Sequence, residues 1–92
     1  MRFRFSKAKS ESLRRNPKRG VNFEEAQEIF TRPYCQDRRS DDPEQHRAIG
    51  WVRDRLFTPI FEIREDNRGE YDHLVTLWRS TREERELYEA NS

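Results

Sequence analysis

His46 to Trp78 reads HRAIGWVRDRLFTPIFEIREDNRGEYDHLVTLW, and the fold turns on this stretch. β-Branched and aromatic residues fill three runs, His46–Val52, Leu56–Ile63 and Tyr71–Trp78, each of ordinary strand length. Asp54 sits in a tight turn between the first two, and Asp66–Gly69 marks a longer hairpin between the second and third. Consecutive strands joined by short turns pair most simply as an antiparallel meander. Pro59 falls inside the second run, where it has no N–H to donate, so that strand is expected at a sheet edge or with a bulge.

Working outward, Arg2 to Phe5 alternates basic and aromatic residues, the period of a short half-buried strand. Ser6 is placed to cap a helix through Lys7–Arg15, which must stop before Pro17, and Gly20 permits a turn. Asn22 and Glu25 have capping-box spacing, with Phe23, Ala26 and Phe30 recurring at i, i+3 and i+7 up to Pro33. Tyr34 to Glu44 is rich in Asp, Arg, Ser and Pro and is expected to be a loop. Beyond the three strands, Thr81 and Glu84 repeat the capping spacing. Arg82–Glu86 and Arg85–Glu89 support a polar last helix anchored by Leu87 and Tyr88. The expected order is β-α-α-β-β-β-α, an α+β fold in which a small antiparallel sheet is packed by two or three helices within one domain over 1–92.

Composition narrows the function classes. In 92 residues, 32% are apolar and 40% charged, yet six Phe, three Tyr and two Trp supply the large buried areas a short chain needs. Cys35 is the single cysteine, which leaves no disulfide framework and no cysteine cluster for zinc. Met1 leads into charged residues rather than an apolar leader, and no run is long enough to cross a bilayer, so a cytoplasmic protein is expected. Charge is uneven: residues 1–20 hold eight Lys/Arg against one Glu, leaving the remainder acidic. Sixteen of the nineteen basic residues are Arg, whose planar fork suits phosphate and carboxylate. Polyanion binding and a solvated face of mutually paired charges both fit this pattern.

Four segments resemble the BrnT toxins, the partners of BrnA antitoxins. Phe5–Lys9 (FSKAK) resembles the family's opening segment, and Lys18–Ala26 (KRGVNFEEA) its lysine-histidine-glycine-valine segment. Asp37-Arg38 with Glu44–Gly50 (EQHRAIG) is similar to the stretch around its AIG strand, and Arg79–Tyr88 (RSTREERELY) to its closing helix. The resemblance implies a RelE-like fold and a metal-independent ribonuclease neutralised by an antitoxin. Three positions depart from it: Arg19 stands where the family has histidine, Gln45 where it has an arginine, and Trp78 where it has the arginine ahead of the last helix, with Arg79 beside it.

Metal-free RNA cleavage needs a base for the 2′-hydroxyl proton and cations for the charge that develops on phosphorus. Arginine cannot be the base, which leaves His46, Glu44 and His73 as titratable candidates; the two histidines read more simply as strand residues facing solvent or a satisfied neighbour, and a glutamate would need its pKa raised. Arg79, His46 and Glu44 are therefore the catalytic candidates. Lys18, Arg19, Arg38, Arg47 and Arg79 are the candidates for holding RNA, set against surface charges with no ligand. Phe3, Phe5, Tyr34, Trp51 and Trp78 are candidates to stack bases or to fill the core. No metal or cofactor is expected. The expected partners are RNA or a ribonucleoprotein and a BrnA-like antitoxin. Alternatives are a non-catalytic relative, such as a phage- or mobile-element-borne inhibitor of a host defence complex, and a protein–protein module using a free sheet edge.

Overall fold

A computed structural model describes residues 2–91; Met1 and Ser92 lie outside the described residues. The chain runs through β1 (Phe3–Arg4), α1 (Lys7–Arg15), α2 (Phe23–Ala26), a 3-10 turn over Gln27–Thr31, β2 (Cys35–Asp41), β3 (Glu44–Val52), β4 (Arg55–Asp66), β5 (Gly69–Arg79) and α3 (Arg82–Ala90). The five strands form one sheet in the order β1-β5-β4-β3-β2. The α+β class and the meander β3-β4-β5 are as expected. Two features differ: the sheet has a further strand, and it is mixed, because β1 pairs parallel to β5 at Phe3↔Asp72 and Arg4↔His73.

The additional strand is β2, in the segment expected to be a loop. Its Asp, Arg and Ser residues are poor strand formers in isolation, but it lies at the sheet edge, where charged side chains are tolerated and protect against further pairing. Its register on β3 sets Asp37 opposite Arg47, and a shift between Arg38 and Ser40 bends its outer end. Pro59 lies in the middle strand rather than at an edge. The bulge is present: the β4–β5 register slips between Ile60 and Phe61, one residue beyond the proline. Asp66↔Gly69 closes a two-residue turn instead of a longer hairpin, with Gly69 at φ 108°.

Ser6 caps α1 by accepting the Lys9 N–H at 3.2 Å. Asn22 and Glu25 form a complete capping box at the start of α2. The helix then tightens into its 3-10 turn, and the tightening changes which residues point inward. With three residues per turn, Phe23, Ala26 and Ile29 align and are fully buried, while Phe30 is only partly buried. These residues and Leu13 of α1 pack on Ala48, Val52, Phe57, Phe61, Leu74 and Leu77 from one face of the sheet. Phe30 links Phe3 to Phe61 through ring contacts at 5.0 and 5.8 Å.

Alternation along β3 sends Arg47, Ile49 and Trp51 to the other face, where α3 lies. Here the anchor is not the expected pair. Leu87 is exposed and Tyr88 half-buried, whereas Glu84 is buried. Its carboxylate accepts bonds from the Thr58 hydroxyl at 3.0 Å, the Trp78 indole at 3.0 Å and the Thr81 N–H at 2.8 Å. Arg47 Nη1 lies 3.5 Å away. One acidic side chain thus both caps α3 and ties it to β3, β4 and β5.

Candidate nucleic-acid interface

Val52↔Arg55 closes the β3–β4 hairpin with Arg53 and Asp54 as its two turn residues. Arg53 has φ 56°, a left-handed conformation that costs a non-glycine residue about 1–2 kcal/mol. The acidic first part of the α2 region holds it there. Glu28 accepts the Arg53 N–H at 2.7 Å, Glu25 pairs with its guanidinium at 2.9 Å, and Arg32 donates to its carbonyl at 3.3 Å. The turn is therefore fixed against the helical layer, at the end of the sheet where β5 finishes, since Phe57 is the partner of Arg79.

Two depressions open at that end. The smaller, about 180 Å³, is lined by Arg19, Val21, Arg53, Arg55 and Arg79 with Asp54. The larger, about 440 Å³, lies between the sheet and α3; Trp51 and Leu56 come from the sheet, Arg85 and Tyr88 from the helix. Asp54, Arg55 and Arg79 border both, so the two form one continuous surface. Arg53 is engaged by Glu25, but Arg19 and Arg79 make no side-chain hydrogen bond or ion pair among the described residues. A concave surface lined mainly by one sign of charge concentrates its field and draws in anions.

The expected site residues fall into separate groups. Arg19 and Arg79, sixty positions apart in sequence, share the small depression. Lys18 is exposed beside Arg19, in the turn after α1. Arg38 is at the far end of the sheet in ion pairs with Asp41 at 3.4 Å and Glu44 at 3.1 Å. Arg47 forms a two-pronged pair with Asp37 and reaches Glu84, and the Asp37 hydrogen bonds raise its already high pKa further. Both of these arginines are occupied by intramolecular carboxylates.

His46 stacks on Phe61 at 5.5 Å, and its buried Nε2 has no hydrogen-bond partner, lying 3.7 Å from Glu44 Oε2. Arg79 is level with Gly50 across β4, because Phe57 is the partner of both. From there His46 is four residues along β3, roughly 13 Å, and two strand spacings, roughly 10 Å, to the side. Glu44 is farther still. The structure does not bring Arg79, His46 and Glu44 to one phosphate. His73 lies on β5 toward the same far end, and burial, followed by the Arg64 charge, lowers its pKa.

Of the aromatic candidates, Phe3, Phe5 and Tyr34 pack against the core, and Trp78 is held by Glu84 beneath Arg39, whose guanidinium lies 5.4 Å from the ring centroid. Trp51 is the exception. It is 37% exposed and meets Tyr88 edge-on at 6.4 Å. Sequence reasoning missed Arg53, Arg55 and Arg85 as members of the basic end. It placed Asp54 in a turn, and the arginines flanking that turn were the available signal. Glu84 was legible as a cap but not as a hub.

Among the described residues, no group of three or more His, Cys, Asp or Glu is arranged to hold a metal ion, and no helix is long and apolar enough to cross a membrane. No protein-family model matches the chain, and no curated protein matches it.

Proposed function

We propose that this chain is a BrnT-like, RNA-binding protein of the cytoplasm that holds the phosphate backbone at the end of the sheet formed by Arg19, Arg53, Arg55 and Arg79. The observation that carries this reading is the convergence on one depression of Arg19 and Arg79, neither of which is paired among the described residues. Acids and bases are almost equal in number in this chain, and Arg38 and Arg47 are taken up by carboxylates. Arg19 and Arg79, with Arg55 between the two depressions, offer guanidinium groups suited to planar, multidentate recognition of phosphate, while Arg53 stays tied to Glu25. The segments that resemble BrnT toxins include both ends of this cluster, at Lys18-Arg19 and at Arg79. A BrnA-like antitoxin would neutralise the protein by covering the same end.

Binding without turnover is the form that the geometry favours. The two titratable candidates closest to the family-like motif, His46 and Glu44, lie far from Arg79, and His46 is stacked into the hydrophobic layer. A relative that keeps the scaffold and the cations but not the acid–base pair would serve as an RNA or ribonucleoprotein binder, for example as a mobile-element inhibitor of a host defence complex.

The test is binding and cleavage of a labelled single-stranded RNA by the same preparation. The expected result is binding that weakens with salt, an Arg79→Ala variant with lower affinity, and no product ends. Accumulation of 2′,3′-cyclic phosphate ends that disappears in Arg79→Ala would establish the ribonuclease form instead. Absence of RNA binding at low salt would refute the reading altogether.

A further inference from the structure

The larger depression has a property that the phosphate reading leaves unused. Its floor is aromatic and apolar, from Trp51 and Leu56, and its helical wall carries Tyr88. Among the described residues Trp51, Ile63 and Leu87 are the large hydrophobic side chains that remain exposed, and of these Trp51 borders the basic end. Leaving a tryptophan over a third exposed beside arginines forgoes burial that a small core would use well. The volume, about 440 Å³, is within the range of clefts that enclose small organic groups.

Resting on the RNA-binding reading above, we infer that this cleft is a subsite for an unpaired nucleobase of single-stranded RNA, with Trp51 as its stacking platform and Arg55 and Arg79 holding the adjoining phosphate. Three observations converge on it. Arg55 and Arg79 border both depressions, so a backbone phosphate at the shared rim places its base toward Trp51 and the next phosphate toward Arg19. Trp51 and Tyr88 meet edge-on, an arrangement that holds the indole in place without stacking another ring on it. Ser80 and Asp54 line the same cleft and offer polar groups to a base edge. A base paired inside a duplex is stacked on its neighbours and cannot enter such a slot, so the site selects single strands.

The experiment measures the affinity of wild-type protein, Trp51→Ala, Trp51→Phe and Arg79→Ala for four probes of equal length. These are a single-stranded RNA, the same sequence as DNA, an abasic single strand and an RNA duplex. Trp51→Ala is expected to lose about tenfold or more in affinity for the base-bearing single strands, the usual scale for one stacking contact. Trp51→Phe should recover most of that loss, and binding of the abasic strand and the duplex should not change. Arg79→Ala is expected to weaken all four. The subsite is overturned if Trp51→Ala binds the single-stranded RNA like wild type while Arg79→Ala does not, a result that leaves the phosphate reading intact. It is also overturned if Trp51→Ala weakens abasic and base-bearing strands equally, because the tryptophan then only supports the arginines. If wild type binds none of the four probes, both readings fall and the end of the sheet belongs to a protein partner.

Discussion

Glu84 shows how a single residue can be read correctly from sequence and still be underestimated. Its spacing from Thr81 identifies a capping box, which the structure contains. What spacing cannot reveal is that the same carboxylate accepts from Thr58 and Trp78, residues that reach it only once β4 and β5 are paired. Removing it leaves the Thr58 hydroxyl, the Trp78 indole and one face of Arg47 without their acceptor inside a packed layer. Glu84→Ala is therefore expected to cost about 3 kcal/mol or more in denaturant unfolding, and Glu84→Gln, which keeps one acceptor oxygen, distinctly less. Equal stability of Glu84→Ala and wild type would show that α3 is held by Tyr88 and Leu87 alone. Gly50 makes the opposite point, through space rather than bonds. A Cβ there would stand 2.6 Å from Ile29 Cγ2 and 3.2 Å from Tyr34 Cβ. Ile29 is fully buried and has nowhere to move, so Gly50→Ala is expected to destabilise by about 1–3 kcal/mol. A neutral or stabilising effect in thermal melts would mean that the 3-10 turn does not press on β3 as closely as described.

At the scale of elements, the strongly patterned parts of the chain were legible and the edges of the sheet were not. β3, β4 and β5 are long and rich in β-branched and aromatic residues, and α2 and α3 carry capping boxes, so local signals and tertiary structure agree there. β2 was missed because its strand character comes from pairing with β3 and from the Asp37–Arg47 fork, not from its own residues. Pro59 pointed to a bulge, which exists, but not to a central position, because proline reports a missing donor and not how many neighbours a strand has. β1 was legible from alternation, yet its parallel partner was not. Arg2 fixes it by reaching over the β4–β5 turn to Asp66 at 2.8 Å and the Gly69 carbonyl at 2.8 Å. The Arg2 hydrogen bond, helped by the Arg68 N–H, holds the Asp66 carboxyl down to about 2. A carboxylate with a depressed folded pKa contributes its stabilisation fully above the ordinary value near 4 and loses it as pH falls toward 2. The protection factor of the Asp72 amide, whose N–H bonds the Arg2 carbonyl, is therefore expected to fall relative to those of β3 as pH drops through that window, once each rate is referred to intrinsic exchange at the same pH. Protection of Asp72 that tracks β3 throughout the window would show that β1 docks independently of Asp66.

For the whole molecule, the division of charge along the chain becomes a division in space only in part. Arg19 and Arg79 at one end of the sheet stay free of carboxylates among the described residues, whereas Arg53 beside them is paired with Glu25, and Arg38, Arg47 and Arg64 elsewhere are taken up by Asp37, Asp41, Glu44 and Glu62. Sequence reasoning could name Arg19 and Arg79 as cations but could not sort them from Arg38 and Arg47, because that depends on which carboxylate each strand register brings alongside. The central claim, that free arginines from distant segments form one phosphate-binding end, is tested most directly by the salt dependence of single-stranded RNA binding. Wild type would be compared with an Arg19→Ala/Arg79→Ala double variant and with Arg68→Ala, which alters the turn at the opposite end of the sheet. Two lost phosphate contacts should reduce the slope of log K against log salt by about 1.4 and weaken binding at every salt concentration, with Arg68→Ala indistinguishable from wild type. A double variant that keeps the wild-type slope and affinity, or an Arg68→Ala variant that loses as much, would contradict it.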